Sequence, residues 1–184
     1  MTHFEIRPAR PEDAATVSEL IHALARYEEL DHQCTATPES VYEELFGEHS
    51  IIRCVLAWEL GPEGERPVGF ALYFFNFSTF LTRRGLYLED LFVVPEARRS
   101  GCGRRLIRYL AREAVKEGCG RFEWVVLDWN QPAIDFYQKL GATILNDWRI
   151  CRVDRATMER LATEPDEAAP LPGPKVPKQT ADDC

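Results

Sequence analysis

Ala14, Val17, Leu20, Ile21 and Leu24 recur at helical spacing, so the first long segment reads as an amphipathic helix with one face turned to a sheet. A short strand pattern, His3 to Pro8, precedes it. Pro11-Glu12-Asp13 opens the helix, with proline and two acids where free amides and the helix dipole favour them. Thr37-Pro38-Glu39 starts a second helix that runs into Val41 to Phe46, with Thr37 as its cap. The loop between the two helices holds Glu28, Glu29 and Asp31. Branched and aromatic residues then dominate Ile51 to Glu59 and Pro67 to Phe77, with Gly61 to Arg66 as a hairpin loop. A third strand, Gly85 to Val94, follows the polar interruption Ser78 to Arg84 and completes an antiparallel meander. Leu106, Ile107, Leu110, Ala111, Ala114 and Val115 mark a helix from about Gly101 to Lys116, ended by Gly118, and Arg121 to Leu127 reads as the next strand. That order implies a crossover and a locally parallel pair. Asn130 caps another helix, with Pro132 near its start, Ala133, Phe136, Tyr137 and Leu140 inside and Gly141 beyond its end. A last strand is expected through Thr143 to Val153.

Composition narrows the class. With 184 residues, 45% hydrophobic and 28% charged, the chain fits one globular domain, assigned to 1–162. Residues 163–184 hold five of the twelve prolines, no aromatics, and five acids against two bases, and read as a disordered tail. The net charge of −8 disfavours a nucleic-acid binder and suits a cationic small ligand. No apolar run has membrane-spanning length and the start lacks a signal pattern, so a cytoplasmic protein is expected. Six scattered cysteines without a CxxC pair read as reduced thiols, and the four dispersed histidines suggest no metal site.

Three segments carry chemistry. Arg98-Arg99-Ser100-Gly101-Cys102-Gly103-Arg104-Arg105 lies between a strand and a helix, where glycines allow close backbone approach and helix amides point outward, as in an anion cradle. It has no Gly-Lys-Ser/Thr ending, and Leu106 stands where a dinucleotide fingerprint needs its third glycine. Glu89-Asp90 interrupts Leu86 to Val94 with two carboxylates. Strand alternation sends them to opposite faces unless a bulge turns both together. The third segment runs from Val126 to Ala142, with an asparagine cap, Phe136-Tyr137 and Leu140-Gly141-Ala142.

Arg98-x-x-Gly101-x-Gly103, in that order with the Asn130 helix, resembles the pyrophosphate signature of the Gcn5-related N-acetyltransferases. Phe4 to Ala9, Leu24 to Glu28, Phe46 to His49, Val68 to Tyr73 and Leu86 to Asp90 resemble the spermidine/spermine (diamine) acetyltransferases over about residues 3–162. Asn76 to Phe80 and Val126 to Gln131 look more like the thialysine Nε-acetyltransferase branch. The resemblance implies an α/β fold with a mixed central sheet, splayed at the cofactor site and covered by helices on both faces. It implies acetyl-coenzyme A as cosubstrate, a small primary amine as acceptor, no metal, and a homodimer. Residue by residue, it implies Glu89 as the base and Tyr137 as the acid. The cofactor falls to Leu91, Phe92, Val93, Arg98, Arg99, Ser100, Gly101, Cys102, Gly103, Arg104, Asn130 and Ala133. The acceptor falls to Tyr27, Glu28, Ser78, Thr79, Glu89 and Asp90. Ser78 stands where the polyamine enzymes tend to carry an acid, and Thr143 to Trp148 replaces a longer acidic loop, so an amino-acid-like amine is favoured over spermine. A polyamine, an aminoglycoside-like amine, a protein amino group, a non-catalytic acetyl-coenzyme A sensor and an interaction module using the tail are the alternatives.

Overall fold

The computed structural model describes residues 3–62 and 64–165, in two compact units, Met1–Gln131 and Pro132–Cys184. The first unit is a five-stranded sheet in the order β1 (His3–Pro8), β2 (Ile52–Gly61), β3 (Gly64–Ser78), β4 (Arg83–Val93), β5 (Arg121–Trp124). The first four strands pair antiparallel, and β5 lies parallel to β4. The crossover between β4 and β5 is α3 (Cys102–Lys116).

Helix α1 (Ala14–Tyr27) enters through a 3₁₀ turn at Pro11–Asp13. Asp13 Oδ2 accepts from the Arg10 N–H at 2.8 Å. Helix α2 (Pro38–Phe46) begins as its sequence predicts, with Thr37 Oγ1 accepting from the Ser40 N–H at 3.1 Å and Ser40 Oγ accepting from the Thr37 N–H at 2.9 Å. Val17, Leu20 and Leu24 of α1 and Val41 and Leu45 of α2 share a core with Cys54, Leu56, Phe70 and Phe92, all on one face of the sheet. The alternate residues Val55, Ala57, Ala71, Leu86 and Leu88 are also buried. They form the other face, over which α3 packs with Leu106, Leu110 and Ala114. Helices therefore cover both faces.

Two expected strands differ. The strand expected to run from Arg121 to Leu127 stops at Trp124, although Val125 and Val126 have strand-forming side chains, and Val125 and Leu127 are exposed. Branched residues favour a strand only where a neighbour and a buried face reward them. The strand expected through Thr143 to Val153 does not form. Ile144, Leu145, Trp148, Ile150 and Val153 are all exposed, so no buried face rewards strand formation there. The hairpin loop between β2 and β3 is tighter than expected, with pairing out to Gly61 and Gly64.

The second unit contains the body of α4 (Gln131–Lys139) and α5 (Arg155–Thr163), a helix the hydrophobic pattern did not reveal. Its cap is Asp154, whose Oδ1 accepts from the Thr157 N–H at 2.8 Å, and Arg155 pairs with Glu159 one turn on. The expected disordered tail lies outside the described residues from 166 onward. Among the described residues, no helix is long and apolar enough to cross a membrane.

Candidate active site

The sheet opens between β4 and β5. Their pairing covers only Gly85 to Leu88 against Arg121 to Trp124, and β4 continues to Val93 with that side uncovered by a strand. The Val94 N–H donates to the Val68 carbonyl at 2.9 Å, so the alternation of a strand turns the N–H groups of Leu91 and Val93 toward the uncovered side. Gly69 lets β3 run close behind this stretch, since a Cβ there would stand 2.5 Å from the Phe92 carbonyl oxygen. Two backbone donors thus line an open edge.

The bulge left open by the sequence is present, and it lies at the acids. Tyr73 pairs with Leu88 while Leu72 pairs with Asp90, leaving Glu89 as the extra residue in β4. Leu72 and Tyr73 face opposite sides, so Asp90 faces away from Leu88, as Glu89 does. Both carboxylates join the α1 side of the sheet. Glu28, immediately after α1, completes the group, because the charges of Glu89 and Glu28 both act on Asp90. Burial first, then those two charges, pushes the Asp90 carboxyl up from 3.8 to about 6. Burial also raises Glu28. Glu89 is the exposed member of the three.

Tyr27 stands beside these acids in an aromatic cluster. Its ring lies 6.4 Å from that of Phe92 and 6.3 Å from that of Trp129, and its hydroxyl donates to Asn130 Oδ1 at 3.4 Å. The Arg98 guanidinium carbon sits 4.2 Å over the Tyr27 ring and 5.6 Å from the Phe92 ring, while Arg98 Nε donates to the Val93 carbonyl at 2.9 Å. Neither the Tyr27 cluster nor the Arg98 stack is visible in local spacing, because its members are far apart in the chain. Only the ring-bearing residues Tyr27 and Trp129 could have suggested it.

The glycine-rich segment forms the entry to α3. Gly101, its N-cap, has φ +93° with nothing within 4 Å of a built Cβ, and Arg99 is also left-handed at φ 60°. Gly101 is therefore required for its backbone angle and not for space. Ser100 Oγ donates to the Ala97 carbonyl at 2.5 Å and accepts from the Cys102 N–H at 3.4 Å. The first-turn amides after Gly101, including those of Gly103 and Arg104, belong to a helix N-terminus suited to an anion. The Cys102 side chain is buried, and burial pushes its thiol up to about 11, so it stays protonated and packed at neutral pH.

Ser78 and Thr79 fall elsewhere in the first unit. Ser78 is buried in the β3–β4 turn, where its Oγ accepts from the Leu81 N–H at 3.3 Å, and Thr79 Oxygen of the backbone accepts from Thr82 Oγ1. Ser78 pairs with Arg83, six positions along β3 from the Leu72–Asp90 pair, or roughly 20 Å at strand rise. Within one chain, Ser78 and Thr79 do not join Glu28, Glu89 and Asp90. Ala133 and Tyr137 lie on α4 in the second unit, and Tyr137 is buried. A cavity of about 360 Å³ lined by Leu45, Arg53, Tyr73, Tyr109, Glu113 and Lys116 contains none of the expected residues. Lys116 pairs with Glu113 there at 3.6 Å.

The sequence pattern of the acetyltransferase (GNAT) family matches residues 18–142. The chain is 38% identical over 164 residues to a thialysine N-epsilon-acetyltransferase of Sus scrofa, covering 85% of this chain and 96% of that protein. It is 32% identical to an L-ornithine N5-acetyltransferase of Arabidopsis thaliana, covering 80% and 83%. In structure it resembles an integron cassette protein of V. cholerae, with a TM-score of 0.72 at 26% identity over 88% of this chain and 98% of the other. A sheet that parts beside β4, a left-handed glycine opening α3 and these likenesses agree: the chain belongs to the GNAT family of acetyltransferases.

Proposed function

We propose that this acetyltransferase moves an acetyl group from acetyl-coenzyme A to a primary amine of a small molecule with an amino-acid or diamine skeleton. The observation that carries this reading is the bulge at Glu89, which gathers Glu89 and Asp90 on the face that Glu28 also serves. Such a pocket attracts an ammonium group. The names of the similar proteins, which act on thialysine and ornithine, support a short amine bearing an amino-acid head.

A primary amine with a pKa near 10 is mostly protonated at neutral pH and cannot attack a carbonyl until it loses that proton. In the proposed mechanism Asp90 and Glu28 hold the ammonium, and Glu89, the exposed carboxylate, accepts its proton through water. Asp90 is a second candidate for that step, because a carboxyl near 6 is better matched to a proton acceptor at neutral pH than an ordinary one. Tyr27 forms an aromatic wall beside the cation.

The residues present fit acetyl-coenzyme A: the uncovered N–H groups of Leu91 and Val93 suit an amide-bearing arm, and the amides from Arg99 to Arg104 suit a pyrophosphate. When bound, it supplies the thioester that the free amine attacks directly. The Leu91 and Val93 N–H groups are the donors for the thioester oxygen. Asn130 and Ala133 are assigned to the cofactor, and Tyr137 Oη to protonating the departing sulfur, on the resemblance of their motif. Ser78 and Thr79 keep an acceptor role only as contributions across a homodimer, the assembly we propose. A reducing, cytoplasmic setting is proposed with it. Among the described residues, Cys34, Cys54, Cys102, Cys119 and Cys151 are free thiols, which supports that setting.

The test is coenzyme A release with thialysine, lysine, ornithine, putrescine, spermidine and spermine at matched concentrations, with product masses. Preference for thialysine or ornithine is the expected result. Preference for spermine would replace the amino-acid reading with the polyamine one, and cofactor binding without transfer to any amine would replace it with a sensor.

A further inference from the structure

Arg98 begins the glycine-rich segment, and the sequence pattern assigns it to the cofactor's pyrophosphate. Its side chain is already engaged elsewhere. Nε donates to the Val93 carbonyl at 2.9 Å, and the guanidinium plane covers the Tyr27 ring at 4.2 Å and reaches Phe92 at 5.6 Å. One arginine therefore ties three elements: the uncovered end of β4 through Val93, the last residue of α1 through Tyr27, and the loop before α3 on which it sits.

Tyr27 is where that tie matters. The next residue, Glu28, is the α1 contribution to the acid pocket, and Glu29 after it is held at φ 60°, an uncommon angle for a side-chain-bearing residue. The chain there is fixed by the Glu28 N–H to the Leu24 carbonyl at 3.0 Å and the Leu30 N–H to the Ala25 carbonyl at 2.8 Å. Besides its packing against the core under α1, Tyr27 makes one long hydrogen bond to Asn130 and ring contacts at 6.3 and 6.4 Å. The Arg98 stack is its closest ring contact.

We infer that Arg98 is a positioning residue for the amine site: it clamps Tyr27, and with it Glu28, against the end of β4, while the pyrophosphate is left to the backbone amides that follow. The inference deepens the proposed function and rests on it. A planar guanidinium can stack on a ring and donate from Nε in the same geometry, which a lysine ammonium cannot. Arg98→Lys thus keeps the charge and loses the clamp. The two roles separate there.

The experiment compares Arg98→Lys, Arg98→Ala, Tyr27→Leu and the Arg98→Ala/Tyr27→Leu double variant, each first checked for cooperative thermal unfolding. Acetyl-coenzyme A affinity is read by calorimetry without amine, amine KM and kcat by turnover, and amide exchange at Glu28 to Leu30 in the free protein. The clamp predicts that both Arg98 variants raise amine KM by about tenfold, the size of one lost stacking contact. It also predicts faster exchange at Glu28 to Leu30, acetyl-coenzyme A affinity within about twofold, and a double variant no worse than Tyr27→Leu. A pyrophosphate ligand predicts the reverse: normal amine KM, acetyl-coenzyme A affinity weakened about tenfold or more in Arg98→Ala, and recovery in Arg98→Lys. Additive losses in the double variant would also overturn the clamp. If the wild type acetylates none of the amines, the proposed function fails, yet calorimetry and exchange still decide for or against the clamp.

Discussion

Glu89 and Asp90 are neighbours on a β-strand and yet share a face, because β4 carries one more residue than β3 between the Tyr73–Leu88 and Leu72–Asp90 pairs. The bulge sets two acids side by side but in different surroundings, Glu89 exposed and Asp90 sunk toward the core that contains Phe92. An exposed carboxylate can exchange protons with water during turnover. Glu89→Gln keeps the shape and removes the acceptor, so kcat at neutral pH should fall by about 100-fold, within the usual range for general-base catalysis. Acetyl-coenzyme A affinity should stay the same. Unchanged turnover in Glu89→Gln, measured with the preferred amine, removes Glu89 from the proton path.

Asp90 makes the opposite prediction for stability and activity. Its folded-state value of about 6 lies above the ordinary 3.8, so the folded protein holds this proton more tightly than the unfolded chain does. The folded state is therefore favoured below pH 4, and that advantage is lost as pH rises through 6. A shift from 3.8 to about 6 corresponds to a cost of about 3 kcal/mol at pH 7. Asp90→Asn should raise the unfolding temperature at pH 7 and leave it nearly unchanged at pH 3.5. Activity should suffer, because the neutral amide cannot pair with an ammonium. In the wild type, kcat/KM should rise through about pH 6 as Asp90 ionises, and that limb should vanish in Asp90→Asn. A pH-stability difference of zero between the two proteins would contradict the buried acid.

Much of this arrangement was legible in the chain. The faces of α1 and α3 followed from apolar spacing, the cap of α2 from Thr37, and the opening of α3 from Gly101, because each depends on residues within a turn or two of one another. The bulge at Glu89 was legible only as an alternative, since an inserted strand residue leaves no mark on composition. The Arg98 stack on Tyr27 was hidden for another reason: it joins residues 71 positions apart through tertiary packing. Val125, Val126 and Thr143 to Val153 misled because branched residues signal strand only when a neighbouring strand is there to receive them. Helix α5 was missed because its few apolar residues, Met158 and Leu161 among them, are exposed, and its support is polar, from Asp154 and the Arg155–Glu159 pair.

Gly101 tests the anion cradle separately from the amine site. At φ +93° it takes an angle that costs an alanine about 1 kcal/mol or more, while a Cβ there meets nothing within 4 Å. The strain falls on the direction of the amides that follow. Gly101→Ala should weaken acetyl-coenzyme A binding by about fivefold to tenfold and lower the unfolding temperature slightly, leaving amine KM unchanged once the cofactor is saturating. Full acetyl-coenzyme A affinity, read by calorimetry, would mean that the pyrophosphate is held elsewhere.

Tyr137 separates proton transfer from packing. Buried tyrosines on helices commonly fill a core with the ring and satisfy the hydroxyl at its edge, so burial alone does not identify an acid. Tyr137→Phe preserves the ring and removes only the hydroxyl. If that hydroxyl protonates the departing thiolate, kcat should fall by about tenfold to 100-fold with acetyl-coenzyme A affinity and unfolding temperature nearly unchanged. The alkaline limb of the kcat profile should also flatten, since that limb would report ionisation of the acid. A purely structural role predicts kcat intact, with the unfolding temperature lowered only as far as the hydroxyl's own hydrogen bond supports the fold, and an acetyl thioester of a more acidic thiol in place of acetyl-coenzyme A provides the cross-check. A thioester whose thiol leaves without help should restore the Tyr137→Phe rate if the loss is one of proton donation, and leave it depressed if the ring has shifted.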